Sequence, residues 1–241
     1  MSIPETIEEA ITQAKAATQA ALDDGYRRLQ VELVVPEVAL QAQAIAWEFA
    51  SLFAEYGPRL RLLFPDTGAA ALARRDWGET PFKISDLGSS RTPVTRKISE
   101  EDEAFLLACP SSMEIEQVEK LCNVAGDRPV VLLIPQLENV AIVGIGYAAR
   151  QLRERFISKL ESCYYFKPLD GAVVLRNYPS SWQVWLEQDG DYKLVAEEPQ
   201  KPMGDTLELI LAKASGGDEG SKPQSKGLLA NLQQFLRALS Q

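Results

Sequence analysis

Histidine is absent from all 241 residues of this chain. That excludes a Ser-His-Asp or Cys-His relay, a histidine-ligated metal and an imidazole general base, so any catalysis would need other groups. Cysteine is nearly as scarce. Cys109, Cys122 and Cys163 stand far apart without CxxC spacing, so neither a zinc site nor a complete disulfide framework is legible. They are expected to be reduced and structural, because a buried free cysteine behaves as a small hydrophobe. No apolar run approaches the roughly 20 residues that cross a bilayer, and Met1 to Ala10 lacks the basic and apolar regions of a secretory signal. Positive charge is in deficit: Lys+Arg number 25 against Asp+Glu 34, a formal net charge of -9. Phosphate backbones bind a concentrated basic face, which argues against nucleic acid as the main partner. No metal and no cofactor are expected, and the cytoplasm is the expected location.

What the chain does have is a repeated strand ending. Four apolar runs stop in proline followed by a polar residue: Leu33-Val34-Val35-Pro36-Glu37, Leu62-Leu63-Phe64-Pro65-Asp66, Leu106-Leu107-Ala108-Cys109-Pro110-Ser111 and Leu132-Leu133-Ile134-Pro135-Gln136. Runs apolar on both faces suit parallel strands covered on both sides, and proline stops the ladder because it lacks an N–H and fixes φ. The four polar turns should then share one edge, the carboxyl edge where open α/β sheets bind ligands. A chain of this length buries roughly 70% of its unfolded surface, so a substantial core is expected.

Ser2 and Glu5 have capping-box spacing ahead of an Ala-rich helix that ends near Gly25. Leu29 to Val35 reads as a strand, Val38 to Tyr56 as a helix and Arg59 to Phe64 as the next strand, with Asp66 or Thr67 capping a short helix through about Trp77. Between Gly78 and Asp102 the pattern lapses into a long loop, of the kind that is functional or disordered. Strand Ala104 to Cys109, a helix to about Val124 with Ser111 and Glu114 at capping-box spacing, and strand Val130 to Ile134 follow. Tyr147 to Leu160 reads as helical. Four short strands over 161 to 196, punctuated by Asp170-Gly171, Pro179-Ser180-Ser181 and Asp189-Gly190, then predict antiparallel hairpins, and Asp205 to Lys213 a further helix. The expected fold is α/β, a three-layer Rossmann-like arrangement whose mostly parallel sheet is extended by C-terminal antiparallel strands. Residues 1–214 form a single domain in this reading, 215–227 a flexible linker and 228–241 a tethered amphipathic helix.

Candidate ligand- or partner-binding residues are Asp66, Ser111, Ser112, Gln136 and Asn139 at the carboxyl edge, and Arg91, Arg96 and Lys97 in the long loop. Helix capping and a solvated loop are the plainer roles for the same residues. Gly144 and Gly146 fall in Gly144-Ile145-Gly146-Tyr147-Ala148-Ala149, which matches GxGxxA, but a dinucleotide fingerprint belongs in the first strand-to-helix turn and this one follows four strands. Trp182 and Trp185 point to opposite faces of one strand, so at least one should pack in the core. The stripe Leu228, Leu229, Leu232, Phe235, Leu236 and Leu239 suits a groove on a protein, either this domain's own or a partner's. Two functions stay open from the residues alone: a non-enzymatic protein-binding module, and a nucleotide- or phosphate-binding α/β enzyme using Gly144, Gly146 and the basic loop.

Leu63-Phe64-Pro65-Asp66, the run from Arg128-Pro129 through Pro135-Gln136-Leu137-Glu138-Asn139, Tyr164-Tyr165-Phe166 and Tyr178-Pro179-Ser180-Ser181-Trp182 together carry a resemblance. The chain resembles an uncharacterised cyanobacterial and chloroplast domain family that includes the low photosystem II accumulation protein and the C-terminal domain of a chloroplast adenylate kinase. The resemblance spans about Pro4 to Lys213. It implies an auxiliary factor assisting photosystem II or thylakoid protein assembly through protein–protein contacts, without a transmembrane segment but in peripheral contact with the thylakoid. It carries over no active site.

Overall fold

The computed structural model describes residues 2–137 and 147–214. In chain order these form α1 (Ile7–Asp23), β1 (Arg28–Leu33), α2 (Ala42–Ala50), β2 (Leu60–Phe64), α3 (Thr67–Trp77), β3 (Lys83–Asp86), β4 (Ala104–Ala108), α4 (Ile115–Ala125), β5 (Val130–Leu133) and α5 (Tyr147–Arg155). The antiparallel strands β6 (Glu161–Leu169), β7 (Ala172–Asn177), β8 (Trp182–Gln188) and β9 (Asp191–Glu198) and the helix α6 (Asp205–Ala214) complete it. The strands make a nine-stranded mixed sheet in the order β3-β2-β4-β5-β1-β6-β7-β8-β9, so the α/β architecture expected from the apolar runs is present. Asn139, Gly144, Gly146, the 215–227 linker and the 228–241 stripe lie outside the described residues.

The chain divides into two compact units. The larger, Ala21–Glu32 with Ala39–Ser162, holds the parallel strands. Ladders join β1 to β5, β5 to β4, β4 to β2 and β2 to β3, all parallel, so their carboxyl ends share one edge. Every residue of β4 and of β5 is buried, the pattern of strands covered on both faces. One covering layer contains α4, whose Ile115, Val118, Leu121, Cys122 and Ala125 join Leu63, Phe105, Leu107, Val130 and Leu132 in a single apolar cluster. At the far end of α4, Arg28 of β1 donates to the Cys122 carbonyl and ties the helix C-terminus to the sheet.

The other unit comprises residues 2–20, Leu33–Val38 and 163–214. Its hairpins β6-β7-β8-β9 are antiparallel throughout. Asp189 (φ 56°) and Gly190 (φ 88°) both occupy the left-handed region that a two-residue type I′ hairpin demands. Helix α1 presents Ala10, Ala14, Ala17 and Ala21 as its fully buried stripe. Tyr164 of β6 donates its hydroxyl to Gln13 of α1 at 3.2 Å, and Cys163 lies 3.5 Å from the Thr18 hydroxyl.

Three elements depart from the sequence reading. The cap of α1 is Thr6, whose Oγ1 accepts the Glu9 N–H, rather than Ser2. The helix expected over Val38 to Tyr56 is α2 flanked by two 3-10 segments, with Phe53 out of helical geometry (φ -107°, ψ 20°), and it stops at Gly57-Pro58, where Gly57 takes φ 50°. Strand β3 lies inside the stretch expected to be loop. It is four residues long and stands at the sheet margin, so Lys83-Ile84-Ser85-Asp86 needs little apolar patterning to pair with β2.

The amino ends of β3, β2 and β4 meet on one carboxylate. Asp102 is fully buried and accepts from Arg61 Nε at 2.6 Å and Nη2 at 3.1 Å, from Lys83 Nζ at 3.4 Å and from the Ser99 N–H at 2.8 Å. Burial alone would raise its pKa, but the bonds from Arg61 and Ser99 outweigh it and hold the carboxyl below its usual range. Because the folded-state pKa is depressed, the stabilisation is complete above the ordinary carboxylate range and is lost as pH falls through the lowered value. Asp102→Ala leaves Arg61 without its buried partner and should cost about 3 kcal/mol in urea unfolding at pH 7. The variant should also lose the part of the acid-side fall in stability, below about pH 4, that this carboxyl contributes.

Candidate functional site

The carboxyl edge of the larger unit brings together the ends of β3, β2, β4 and β5. Strands β4 and β5 leave it in the same unusual way. Cys109 and Ile134, each one residue past its strand and each before a proline, have φ 49° and 44°. Left-handed backbone is a genuine strain for a β-branched residue, of order 1–3 kcal/mol. Each nevertheless extends the ladder by one bond: Cys109 N–H to Leu133 O at 2.8 Å, and Ile134 N–H to Val31 O at 2.7 Å. The chain then turns sharply upward, and Gln136 N–H donates to Pro110 O at 2.8 Å. Ser111 and Gln136 thus stand beside each other as an isolated parallel bridge.

The polar candidates at this edge are engaged by the chain itself. Asp66 caps α3, its Oδ1 accepting the Ala69 N–H at 2.9 Å. Glu114 accepts both the N–H of Ser111 at 3.0 Å and its hydroxyl at 2.6 Å, while Ser111 Oγ accepts the Met113 N–H at 3.1 Å. Only half of the expected capping box is formed: Glu114 accepts from Ser111, but Ser111 Oγ accepts from Met113 rather than Glu114, and α4 begins at Ile115 with Glu114 as its N-cap. Ser112 is buried beside it and Gln136 is exposed. Two helix N-termini face this edge: Asp66 occupies that of α3, whereas the Glu114 carboxylate, at the N-cap position of α4, turns back to Ser111 and caps no N–H of its own helix.

The third part of the edge is the 85–101 loop, which the sequence reading leaves as a lapse in pattern. It is braced. Leu87 donates its N–H to Phe64 O at 2.8 Å, and its side chain and that of Val94 are fully buried in the cluster beneath α4. Val94 N–H donates to Gln117 Oε1 of α4 at 3.0 Å. Asp86 accepts from the Gly88 N–H at 2.9 Å and forms an ion pair with Lys97, closing the base of the loop. Burial would raise the Asp86 pKa, yet Lys97 and the Gly88 N–H hold it below its usual range. Ser89 N–H bonds Thr92 O at 2.9 Å across the tip. Of the three basic candidates, Lys97 belongs to this clasp, whereas Arg91 and Arg96 are exposed and their guanidinium groups form no hydrogen bond or ion pair among the described residues. Asp86, Leu87, Val94 and Gln117 are the residues that sequence reasoning missed. The Asp86-x-Gly88 turn was a readable signal, and the others depend on tertiary contact.

A thiol at the end of a central strand invites comparison with a nucleophile, but the electrostatics oppose it. Burial, and then the Glu114 carboxylate, push the Cys109 thiol up, so it stays protonated. Cys122 is pushed up to about 12 by burial. None of the three cysteines is in a disulfide, and Cys122 and Cys163 are buried. Among the described residues no group of three cysteine, aspartate or glutamate side chains is placed to hold a metal ion, and no helix is long and apolar enough to cross a membrane.

Gly88 is the point on which the loop's geometry turns. Its φ is 78°, and a Cβ there would lie 2.2 Å from the Thr92 carbonyl oxygen. Gly88→Ala should destabilise the protein by about 1–3 kcal/mol and make the 85–101 loop the first site of limited proteolysis, read as the earliest cleavage by peptide mapping. Residues 4–209 match the family described as a domain of unknown function, DUF1995, and the chain belongs to that family.

Proposed function

We propose that this member of the DUF1995 family is a protein-binding factor without turnover, which presents the braced 85–101 loop to an acidic segment of a partner. One observation carries the reading. Asp66 caps α3 and the Glu114 carboxylate lies bonded to Ser111 just ahead of α4, whereas Arg91 and Arg96 are exposed on a loop anchored by buried Leu87 and Val94. A phosphate brought to this edge would meet two carboxylates, and an acidic segment brought to the loop would meet two guanidinium groups suited to bidentate pairing. Holding the loop rigid in advance lowers the ordering cost of such a complex. The resemblance to the group that includes the low photosystem II accumulation protein gives the partner class: components of photosystem II or of thylakoid assembly, met peripherally at the membrane. The net charge of -9 makes this basic tip a local exception that orients an encounter.

The test compares the full-length protein with Arg91→Glu/Arg96→Glu in capture from solubilised thylakoid membranes, with photosystem II subunits quantified by mass spectrometry. Charge reversal should lower their recovery at least tenfold, roughly 1.4 kcal/mol, and leave thermal stability within about 0.5 kcal/mol of wild type. Equal recovery by both proteins removes the loop from the reading, and capture of no photosystem II subunit removes the assembly role. A melting temperature raised by millimolar ATP, AMP, NAD or NADP would instead support a nucleotide-binding enzyme.

A further inference from the structure

The antiparallel hairpins carry a second feature, independent of the loop. Cross-strand pairing sets Tyr165 of β6, Arg176 of β7 and Trp182 of β8 in one row on one face of the sheet. The Tyr165 and Trp182 rings meet edge to face across the intervening strand, with centroids 5.1 Å apart. Both are buried, and with Val174 they form a compact apolar cluster. Lys201, from the segment between β9 and α6, places its Nζ 4.1 Å from the Tyr165 centroid and 5.7 Å from that of Trp182. The Arg176 guanidinium lies 5.5 Å from the Trp182 centroid. A cation over a desolvated Tyr-Trp pair is the arrangement by which aromatic cages recognise ammonium groups.

The cage and its occupant differ in how firmly they are built. Tyr165, Val174 and Trp182 are fixed by three neighbouring ladders. The segment that supplies the cation is lightly held: Pro202 is its one buried residue, α6 has none, and the apolar stripe Leu207, Ile210, Leu211 and Ala214 is only half covered. Leu207 packs against the aromatic cluster, while Asp205, Glu208 and Lys213 face solvent on the opposite side. Elements with few buried apolar contacts open at the low end of a protein's free-energy scale. A rigid, cation-accepting apolar face is thus covered by a lightly held segment.

We propose that residues 199–214 form a releasable strap, and that the face beneath it docks a partner segment of the same chemistry, a lysine or arginine leading into an amphipathic helix. Lys201 and Leu207 are then the chain's own stand-in for that ligand. The occupant is defined by what the cage already holds: a cation against Tyr165 and Trp182, and an apolar side chain about six residues later against the same cluster.

Two measurements on the full-length chain test this. Lys201→Ala should raise hydrogen exchange of the 199–214 amides at least tenfold without changing β6, β7 or β8, and Lys201→Arg should restore wild-type protection because it keeps the cation. A fluorescein-labelled peptide of residues 199–214, followed by anisotropy, should bind Lys201→Ala at least tenfold more tightly than wild type. The same peptide with norleucine in place of its lysine should bind at least tenfold more weakly. Unchanged exchange in Lys201→Ala overturns the strap. Faster exchange without peptide binding, or equal binding of the norleucine peptide, overturns the docking site. The Arg91→Glu/Arg96→Glu variant should bind the peptide as wild type does, so failure of the loop reading and failure of this one are distinguishable.

Discussion

Burial of β4 and β5 on both faces is the constraint from which the larger unit follows. Strands with no solvent face accept only apolar side chains, so Ala104 to Ala108 and Val130 to Leu133 contain no polar side chain. Parallel pairing then requires crossover helices, and the helices supply the covering layers. Polar and charged residues gather beyond the two ends of β4 and β5, whereas β1 carries Gln30 and Glu32 between its buried residues. At the amino ends they concentrate on Asp102, which gathers Arg61, Lys83 and the Ser99 amide. At the carboxyl ends they become caps and a loop clasp.

The carboxyl edge has the layout of an α/β ligand site but not its electrostatics. Left-handed backbone at Cys109 and Ile134 turns two adjacent strands outward together, and prolines follow immediately. In a phosphate-binding protein the helix beyond such a turn offers bare N–H groups to the ligand. Here Asp66 accepts such an N–H of α3, and Glu114 places a second carboxylate ahead of α4, where it bonds Ser111 and disfavours a Cys109 thiolate. Strain at this edge accompanies one more ladder bond at each strand end rather than an activated side chain.

Much of this was readable in the sequence because it is local. The strand-proline endings, the Ser111–Glu114 box, the Asp66 cap and the Asp189-Gly190 turn depend on residues within a few positions of each other. Of these, the Ser111–Glu114 box forms only in half, because α4 starts three residues later than Ser111 would cap it. Strand β3 was not readable, because an edge strand with one neighbour has no need of the apolar run that marks a central one. The brace on the 85–101 loop was hidden for another reason. Gln117 and Val94 are 23 positions apart, and nothing in either segment announces the bond between them. Lys201 was invisible likewise: the sequence calls for at least one of Trp182 and Trp185 in the core, and Trp182 is buried, but the cation against it arrives from beyond the next strand.

The loop and the strap illustrate opposite ways of offering a surface to a partner. The loop is held by two buried side chains, an ion pair and a side-chain bond to α4, so its exposed arginines meet a partner with their backbone already ordered. Affinity there comes from charge and preorganisation and should weaken with salt, because both guanidinium groups are solvated. The aromatic face behind the strap is ordered too, but it is covered, and any partner must displace a segment the chain already provides. Its apparent affinity is lowered by the fraction of time the strap is closed. A surface of that kind discriminates by requiring both a cation and an apolar stripe, since a ligand with one alone competes poorly against Lys201 and Leu207 acting from the same chain. Neither device requires a titrating base or an activated nucleophile, and a chain without histidine can build both.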